Sequence, residues 1–150
     1  MSRRMISPYF SPGDNTLEHK IGYIDKVEGH LDCAIYSVTH PEIGKALVRA
    51  VDRGVPVRFL TDRVQAAGRY SIDEYLLDNG IDLRRDIKSG SMHHKFAIDS
   101  RISVWDGSSN WTRGAVEKNA ESWVIMRLKY VIDAYQQRFD YLWRLNDPNL

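Results

Sequence analysis

The stretch Leu31-Asp32-Cys33-Ala34-Ile35-Tyr36-Ser37-Val38 opens the part of the sequence that decides the fold. It is a nearly continuous apolar run of strand length, which is typical of a strand buried on both faces. Thr39-His40 then precedes Pro41, which suits the first turn of a helix predicted to extend to Arg53. The next run, Val55-Pro56-Val57-Arg58-Phe59-Leu60-Thr61, indicates a second strand. This β-α-β alternation predicts a parallel sheet covered by helices.

Further elements are predicted on both sides of this unit. Upstream, apolar residues recur at helical spacing between a cap at Asp14 or Asn15 and an end at Gly29. Downstream, Ser71-Ile72-Asp73-Glu74 has the pattern of a capping box that opens a helix ending at Gly80. Short strands are predicted over 81–85, 92–98, 102–105 and 122–126, and a final helix over 130–145 with Ile132, Tyr135, Phe139 and Leu142 or Trp143 facing inward. The predicted fold class is α/β, with a mixed, largely parallel β-sheet flanked by helices.

Size and charge limit the classes of function. With 150 residues, 43% of them hydrophobic, the chain is predicted to form one domain over residues 1–150. The formal net charge of +1 exerts little long-range pull on a polyanion, so nucleic-acid affinity must come from a local basic patch. The single cysteine, Cys33, lies in an apolar run and is predicted to be a buried bystander.

The sequence also bears on location. The N-terminus has no apolar run of the length that an export signal needs, and no segment approaches the roughly 18 apolar residues of a membrane span. We therefore expect a soluble protein with no stable membrane anchor. Two locations stay open as expectations: the cytoplasm for the sequence as written, or export if a leader has been removed.

The segment Met92-His93-His94-Lys95-Phe96-Ala97-Ile98 carries the strongest chemical signal. In a strand, alternate side chains point to opposite faces, so His93 and Lys95 are expected to share one face and His94 and Phe96 the other. A nucleophile or base then stands beside a fixed cation. A lone histidine in a strand is more often structural, so this pair needs further support.

That support follows downstream. If Gly107-Ser108-Ser109-Asn110 is extended, Ser108 and Asn110 point the same way and offer a hydroxyl and an amide to phosphate oxygens. Glu121 precedes a predicted strand, where its carboxylate is suited to fix the tautomer of a histidine. A Gly-Ser-Ser-Asn string alone indicates only a turn. Chance seldom supplies all three features in this order within about thirty residues, which favours a functional site.

These motifs resemble those of the phospholipase D superfamily, which is marked by His-x-Lys-x4-Asp followed by Gly-Ser-x-Asn. Within it, the chain is similar to small bacterial endonucleases that carry one copy of the motif, from about Ala34 to at least Met126. The resemblance implies a metal-independent phosphodiesterase that forms a phosphohistidine and needs no cofactor. It also implies a homodimer with one composite site on the twofold axis, because a single His93 cannot both attack phosphorus and protonate the leaving oxygen.

The resemblance assigns roles to five residues. His93 is the expected nucleophile, and Lys95, Ser108 and Asn110 cradle the phosphate. Glu121 is expected to orient and stabilise His93, as the carboxylate of a serine-protease triad does for its histidine. A metal site built from His93, His94 and Asp99 is the less favoured alternative, because adjacent residues on opposite strand faces converge poorly.

One position departs from the superfamily pattern. The acidic residue is expected five positions after Lys95, where this chain has Ser100, while Asp99 stands one position early. In a regular strand Asp99 points towards the histidine face unless a bulge intervenes, whereas the family aspartate points away from it. A structural role for that aspartate makes its loss tolerable. The alternative is a catalytically impaired dimer that binds nucleic acid.

The substrate is predicted from the surroundings of the motif. Arg63, Arg69 and Lys118 are expected to follow a nucleic-acid backbone, and the segment from Arg63 to Tyr70 is expected to be a mobile surface loop. Trp111 is predicted to close the core rather than to stack on a base. No segment offers a clear apolar lip for lipid, so a nonspecific nuclease acting on DNA or RNA is favoured over a phospholipase or phosphatidyl-transferring enzyme.

Overall fold

The computed structural model describes residues 4–100 and 102–150. Within these ranges the strands are β1 Ile6–Ser11, β2 Leu31–Ile35, β3 Val57–Asp62, β4 Asp82–Asp86, β5 Lys95–Asp99, β6 Ser103–Gly107 and β7 Glu121–Met126. The helices are α1 Thr16–Asp25, α2 Pro41–Asp52, α3 Arg63–Ala66, α4 Asp73–Asp78, α5 Arg113–Glu117 and α6 Lys129–Leu145. The predicted α/β class is confirmed.

All seven strands form one mixed sheet in the order β1-β7-β6-β5-β2-β3-β4. Only β2 with β3 and β3 with β4 pair in parallel. The pairings β1 with β7, β2 with β5, β5 with β6, and β6 with β7 are antiparallel. The prediction of a largely parallel sheet is therefore wrong. For the β5–β6 pair the reason is local, because the short connection leaves no room for the crossover that parallel pairing needs.

Strand β1 was not predicted from the sequence. It carries Pro8 and polar residues, and its apolar pattern is weak because it lies at the sheet edge. It pairs with β7 from Ile6 opposite Met126 to Ser11 opposite Glu121. This pairing places the end of β1 beside the start of β7.

The predicted cap of α1 is confirmed, and the predicted capping box of α4 forms only in part. Asn15 caps α1 by accepting from the Glu18 N–H at 3.1 Å, and His40 caps α2 through its Nδ1 atom. The predicted capping box at Ser71 forms only in part: the Ser71 hydroxyl accepts from the Asp73 N–H at 3.3 Å, but Ile72 occupies the N-cap position of α4. Its acidic residues, Asp73 and Glu74, instead pair with Arg85 of β4.

The sheet separates two apolar cores. Helices α1, α2 and α4 cover one face with a cluster that includes Ile24, Leu47, Leu76 and Trp111. Helix α6 covers the other face, where Ile132, Tyr135, Phe139, Leu142 and Trp143 pack against β-strand residues as predicted. Cys33 is buried, and so is Trp111, as the sequence indicated.

A buried ion pair fastens α6 to the sheet. The carboxylate of Asp32, in the central strand β2, accepts two hydrogen bonds of 2.7 Å from the Arg58 guanidinium. Arg58 also bonds Asp140 of α6 at 2.9 Å and lies 4.9 Å from the centroid of the Phe139 ring. Gln136 of α6 donates to the same Asp32 carboxylate at 2.7 Å. Helix α6 is therefore held by charge as well as by apolar contact.

We expect Arg58→Met to lower the free energy of unfolding by about 3–5 kcal/mol, because it leaves the buried Asp32 carboxylate without its counter-charge. Urea denaturation followed by circular dichroism measures this loss. The matched control is Arg49→Met, which breaks the exposed pair with Asp25 and is expected to cost less than about 1 kcal/mol. Equal losses in the two variants would contradict the role given to the buried pair.

Candidate active site

The predicted site residues converge at one edge of the sheet, which is the row of strand ends where β2 and β6 end and β5 and β7 begin. Strands β2 and β5 run in opposite directions with Ile35 opposite Lys95, so β5 begins where β2 ends. Gly107 at the end of β6 lies opposite Trp123 of β7, close to Glu121 where β7 begins. The His-x-Lys segment, the Gly-Ser-Ser-Asn segment and Glu121 therefore meet at the same edge.

The backbone before Lys95 is held by its neighbours, although it is not part of a strand. The strand predicted over 92–98 begins only at Lys95. The buried Asp62 carboxylate accepts from the Met92 N–H at 3.1 Å and also caps α3. Tyr36 donates its N–H to the His94 carbonyl at 2.8 Å. These bonds fix the segment that presents His93.

His93 and Lys95 lie together, as their spacing predicted. Lys95 Nζ lies 3.0 Å from Nδ1 and 3.2 Å from Nε2 of His93, and it donates to the His93 carbonyl at 2.9 Å. His94 lies instead against Phe96, with ring centroids 5.2 Å apart. His93 is exposed while Lys95 is buried. The exposed imidazole of His93 thus lies in direct contact with the buried ammonium group of Lys95.

Burial lowers the pKa of Lys95, while the carboxylates of Glu121 and Asp106 act in the opposite direction. Lys95 Nζ also lies 5.3 Å from the centroid of the Tyr36 ring. An ammonium group that is short of water is a strong partner for an incoming anion. The charges around His93 and Lys95 therefore favour a negatively charged ligand beside His93.

Ser108 and Glu121 form a second pair at the same edge. The Ser108 hydroxyl donates to Glu121 Oε2 and accepts from the Ser122 N–H at 3.1 Å. Glu121 Oε1 accepts from Asn119 Nδ2 at 3.1 Å. In the part of the chain that the structure describes, no hydrogen bond joins Glu121 to His93. The carboxylate therefore orients Ser108 within one chain, and its predicted bond to His93 stays a prediction.

Asn110 lies next to this pair, at the end of the Gly-Ser-Ser-Asn segment. Its Oδ1 atom is buried and makes no hydrogen bond to the described residues. The following residue, Trp111, donates its N–H to the Ser37 carbonyl at 3.1 Å and forms an isolated bridge to Val38. The segment that carries Ser108 and Asn110 is thereby tied to the residues after β2.

Two residues of this corner were missed by sequence reasoning. Ser11, at the end of the unpredicted β1, accepts from the Glu121 N–H at 3.2 Å and donates to the Asn119 carbonyl at 3.1 Å. Lys20 of α1 is buried and donates to the Ser109 hydroxyl. A signal for Lys20 was present, because it falls within the apolar stripe that Leu17 and Ile24 define. No local pattern marked Ser11.

The predicted nucleic-acid-binding residues are exposed around the same edge. Arg63 begins α3, which replaces the predicted mobile loop at this point, and it donates to the Ile87 carbonyl at 3.2 Å. Arg69 lies over the Tyr70 ring, and Lys118 follows α5 shortly before Glu121. Helix α3 adjoins the site because Gln65 Nε2 donates to the Tyr36 hydroxyl at 3.0 Å.

The Asp99–Ser100 departure lies at the far end of β5. The β2–β5 register runs without a bulge from Ile35 opposite Lys95 to Leu31 opposite Asp99. Asp99 therefore points to the same face of the sheet as Lys95 but lies at the other end of β5. Ser100 accepts from the His30 N–H at 3.0 Å, which ties the end of β5 to the start of β2. A structural role explains the contacts of this position.

A metal-binding cluster and a membrane-spanning helix are both absent from the described residues. Among residues 4–100 and 102–150, no group of three or more His, Cys, Asp or Glu side chains is placed to hold a metal ion. In the same ranges, no helix has the length and apolar character needed to cross a membrane.

Comparison with known proteins places this geometry in a family. The family described as "Cardiolipin synthase, PLD-like domain" matches residues 20–143. The mitochondrial cardiolipin hydrolase of Xenopus tropicalis is 35% identical over 123 residues, which are 82% of this chain and 59% of that protein. The chain thus spans little more than half of that relative. The phospholipase D of Rickettsia conorii is 31% identical over 139 residues, which are 93% of this chain and 70% of that protein.

The solved structures agree. Nuc from Salmonella typhimurium, a phospholipase D family member, superposes with a TM-score of 0.86 at 31% identity, over 93% of both chains. The resemblance indicated by the His-x-Lys and Gly-Ser-x-Asn motifs is confirmed, and the chain belongs to the phospholipase D superfamily, with Nuc as a near structural relative.

Proposed function

We propose that this protein is a phosphodiesterase that cleaves nucleic acid as a nonspecific endonuclease, without a metal ion. The observation that carries the proposal is the His93–Lys95 pair beside Ser108 and Glu121 on one sheet edge. The similarity to Nuc, a phospholipase D family member, over 93% of both chains supports the phosphodiesterase class, and the resemblance of the single motif to small bacterial endonucleases favours nucleic acid as the substrate.

The chemistry begins at His93. Its exposed imidazole attacks phosphorus, a nitrogen–phosphorus bond forms, and the phosphorus–oxygen bond to the leaving alkoxide breaks. Lys95 and Asn110 are expected to stabilise the negative charge on the non-bridging oxygens, and Ser108 joins them when its hydroxyl proton turns from Glu121 to the phosphate. A metal ion performs this task in other phosphodiesterases. Water then hydrolyses the phosphohistidine and releases the second product.

The leaving alkoxide needs a proton, and His93 cannot supply it while it attacks phosphorus. We infer a homodimer in which the His93 of a second copy acts as the acid, so that one composite site lies on the twofold axis. The exposure of His93 at the sheet edge supports this arrangement, because the imidazole is accessible to a partner. Glu121 balances the charge of Lys95 and orients Ser108 in each copy.

A phospholipid is the second candidate substrate, and a specific observation favours it. Beside the exposed Arg63 and Arg69, the structure exposes Val64 by 67%, Tyr70 by 72% and Ile87 by 63%. Sequence reasoning expected no such apolar lip. Apolar side chains next to cations suit an anionic lipid surface. The names of the relatives from Xenopus tropicalis and Rickettsia conorii point to the same substrate class.

The first test is plasmid cleavage in excess chelator. The wild-type protein is expected to degrade plasmid and single-stranded DNA, and His93→Ala to reduce the rate by at least about 10³-fold, because the nucleophile is lost. The matched control is His94→Ala, which alters the neighbouring exposed histidine on the other face and is expected to keep most of the activity. Activity that disappears with chelator, or survives in His93→Ala, would refute the proposal.

The composite site is tested by mixing subunits. When wild type and His93→Ala are unfolded together in equal amounts and refolded, the pool is expected to retain about one quarter of the all-wild-type activity, because only doubly wild-type dimers hold two histidines. Independent sites would retain about one half. Sedimentation must show dimers in both preparations, and a monomeric active protein would overturn the composite site.

Substrate class is decided with two substrates in parallel. The proposed nuclease is expected to cleave DNA while releasing no phosphatidic acid from vesicles of cardiolipin and phosphatidylcholine in chelator. The reverse result would assign the protein to phospholipid hydrolysis. Salt-sensitive DNA binding without turnover of either substrate would identify the impaired dimer, and a gain of activity in Asp99→Ser/Ser100→Asp would then implicate the altered motif.

A further inference from the structure

Lys20 has an environment that an ordinary surface lysine never has. It lies in the middle of α1 with only 1% of its surface exposed. Its Nζ atom donates to the Ser109 hydroxyl at 2.5 Å and lies 5.7 Å from the centroid of the Trp105 ring. Ser109 is equally buried and donates onward to the Asn110 carbonyl at 3.2 Å. The buried Lys20 ammonium group thus contacts the Gly-Ser-Ser-Asn segment from the protein interior.

The two serines of that segment are held by opposite charges. Ser108 is bonded to the Glu121 carboxylate, and Ser109 is bonded to the Lys20 ammonium group. Glu121 interacts electrostatically with both Lys20 and Lys95. One carboxylate therefore interacts with two buried lysines, and the segment expected to face a substrate phosphate is hydrogen-bonded to Glu121 at Ser108 and to Lys20 at Ser109.

We propose that Lys20 is a positioning residue of the candidate site: through Ser109 it fixes the Ser108–Asn110 segment, and its charge offsets Glu121 so that Lys95 remains available to the phosphate. This inference rests on the proposed phosphodiesterase function for its kinetic consequences. Its structural content, a buried lysine coupled to anion binding, stands apart from that function.

The charge of Lys20, and therefore its effect on the candidate site, depends on pH. Burial lowers the pKa of Lys20 to about 7, and Glu121 acts in the opposite direction. Among the neighbouring ionisable groups, His40 at the start of α2 has its pKa lowered by burial and further by Arg113 and Lys20, while Glu117 and Glu42 act in the opposite direction. Lys20 is therefore charged below pH 7 and loses its proton as the pH rises through that value, while the unfolded chain keeps the proton to about pH 10.5.

Two consequences follow from this sign. Between about pH 7 and 10.5 the unfolded state binds more protons than the folded state, so the contribution of Lys20 to stability becomes less unfavourable as the pH rises. Lys20→Met is therefore expected to raise the melting temperature more at pH 6 than at pH 10. Activity has the opposite dependence, because the charged form, present at low pH, is the one that positions the segment.

Kinetics on bis(p-nitrophenyl) phosphate test the functional part. Lys20→Met is expected to lower kcat by roughly 10- to 100-fold at pH 6 with little change in KM, and to abolish the fall in kcat that wild type shows as the pH rises through about 7. Ser109→Ala is expected to lower kcat in the same way, and the double variant to lose no more than Lys20→Met alone. The matched control is Lys45→Met, an exposed lysine paired with Glu42, which is expected to behave as wild type.

A spectroscopic titration decides the matter even if the protein cleaves no phosphodiester. The ¹³Cε resonance of Lys20, assigned by its loss in Lys20→Met, is expected to titrate near pH 7, and its midpoint to rise when inorganic phosphate is added. Phosphate is expected to have no such effect in Lys95→Met, which removes the anion site. A titration midpoint near 10.5, or one that phosphate does not move, would overturn the proposal. If the wild-type protein is active, a Lys20→Met variant with the kcat and pH profile of wild type would overturn it as well.

Discussion

The pairing between β2 and β5 joins the two halves of the sheet, and the position of every site residue depends on it. On one side of this pairing lie the parallel strands β3 and β4, and on the other the antiparallel strands β6, β7 and β1. Its register sets Lys95 opposite Ile35, so the His-x-Lys segment lies next to the residues that follow β2. A shift of one residue would turn Lys95 to the other face of the sheet and separate it from Glu121 and Ser108.

The site built on this register is a cluster of charges that the fold only partly shields. Lys95 and Lys20 are buried, while Glu121 is half-buried and His93 is exposed. Burying ammonium groups costs free energy unless hydrogen bonds and counter-charges compensate. Here Ser109, Glu121 and backbone carbonyls supply that compensation. Burying these charges lowers the stability of the folded chain, and it produces a strong electric field at the place where a phosphate is expected to bind.

The two faces of the sheet contribute differently to this arrangement. The Asp32–Arg58 pair fastens α6 to one face, far from the exposed imidazole of His93. Helix α1 lies on the other face and brings Lys20 beneath the Gly-Ser-Ser-Asn segment. A buried ion pair therefore serves packing on one face of the sheet, while a buried lysine hydrogen-bonded to Ser109 serves the site from the other face.

The sequence by itself determined the β-α-β unit, the apolar face of α6 and the grouping of His93 with Lys95, because each depends on local periodicity or on spacing within a few neighbouring residues. The antiparallel majority of the sheet and the existence of β1 were decided by pairing between distant segments. The same holds for Ser11 and Lys20, whose roles come from contacts with Glu121 and Ser109, about 90 to 110 residues away. Only tertiary structure reveals such roles, because a side chain's chemistry depends on the charges and solvent that folding brings around it.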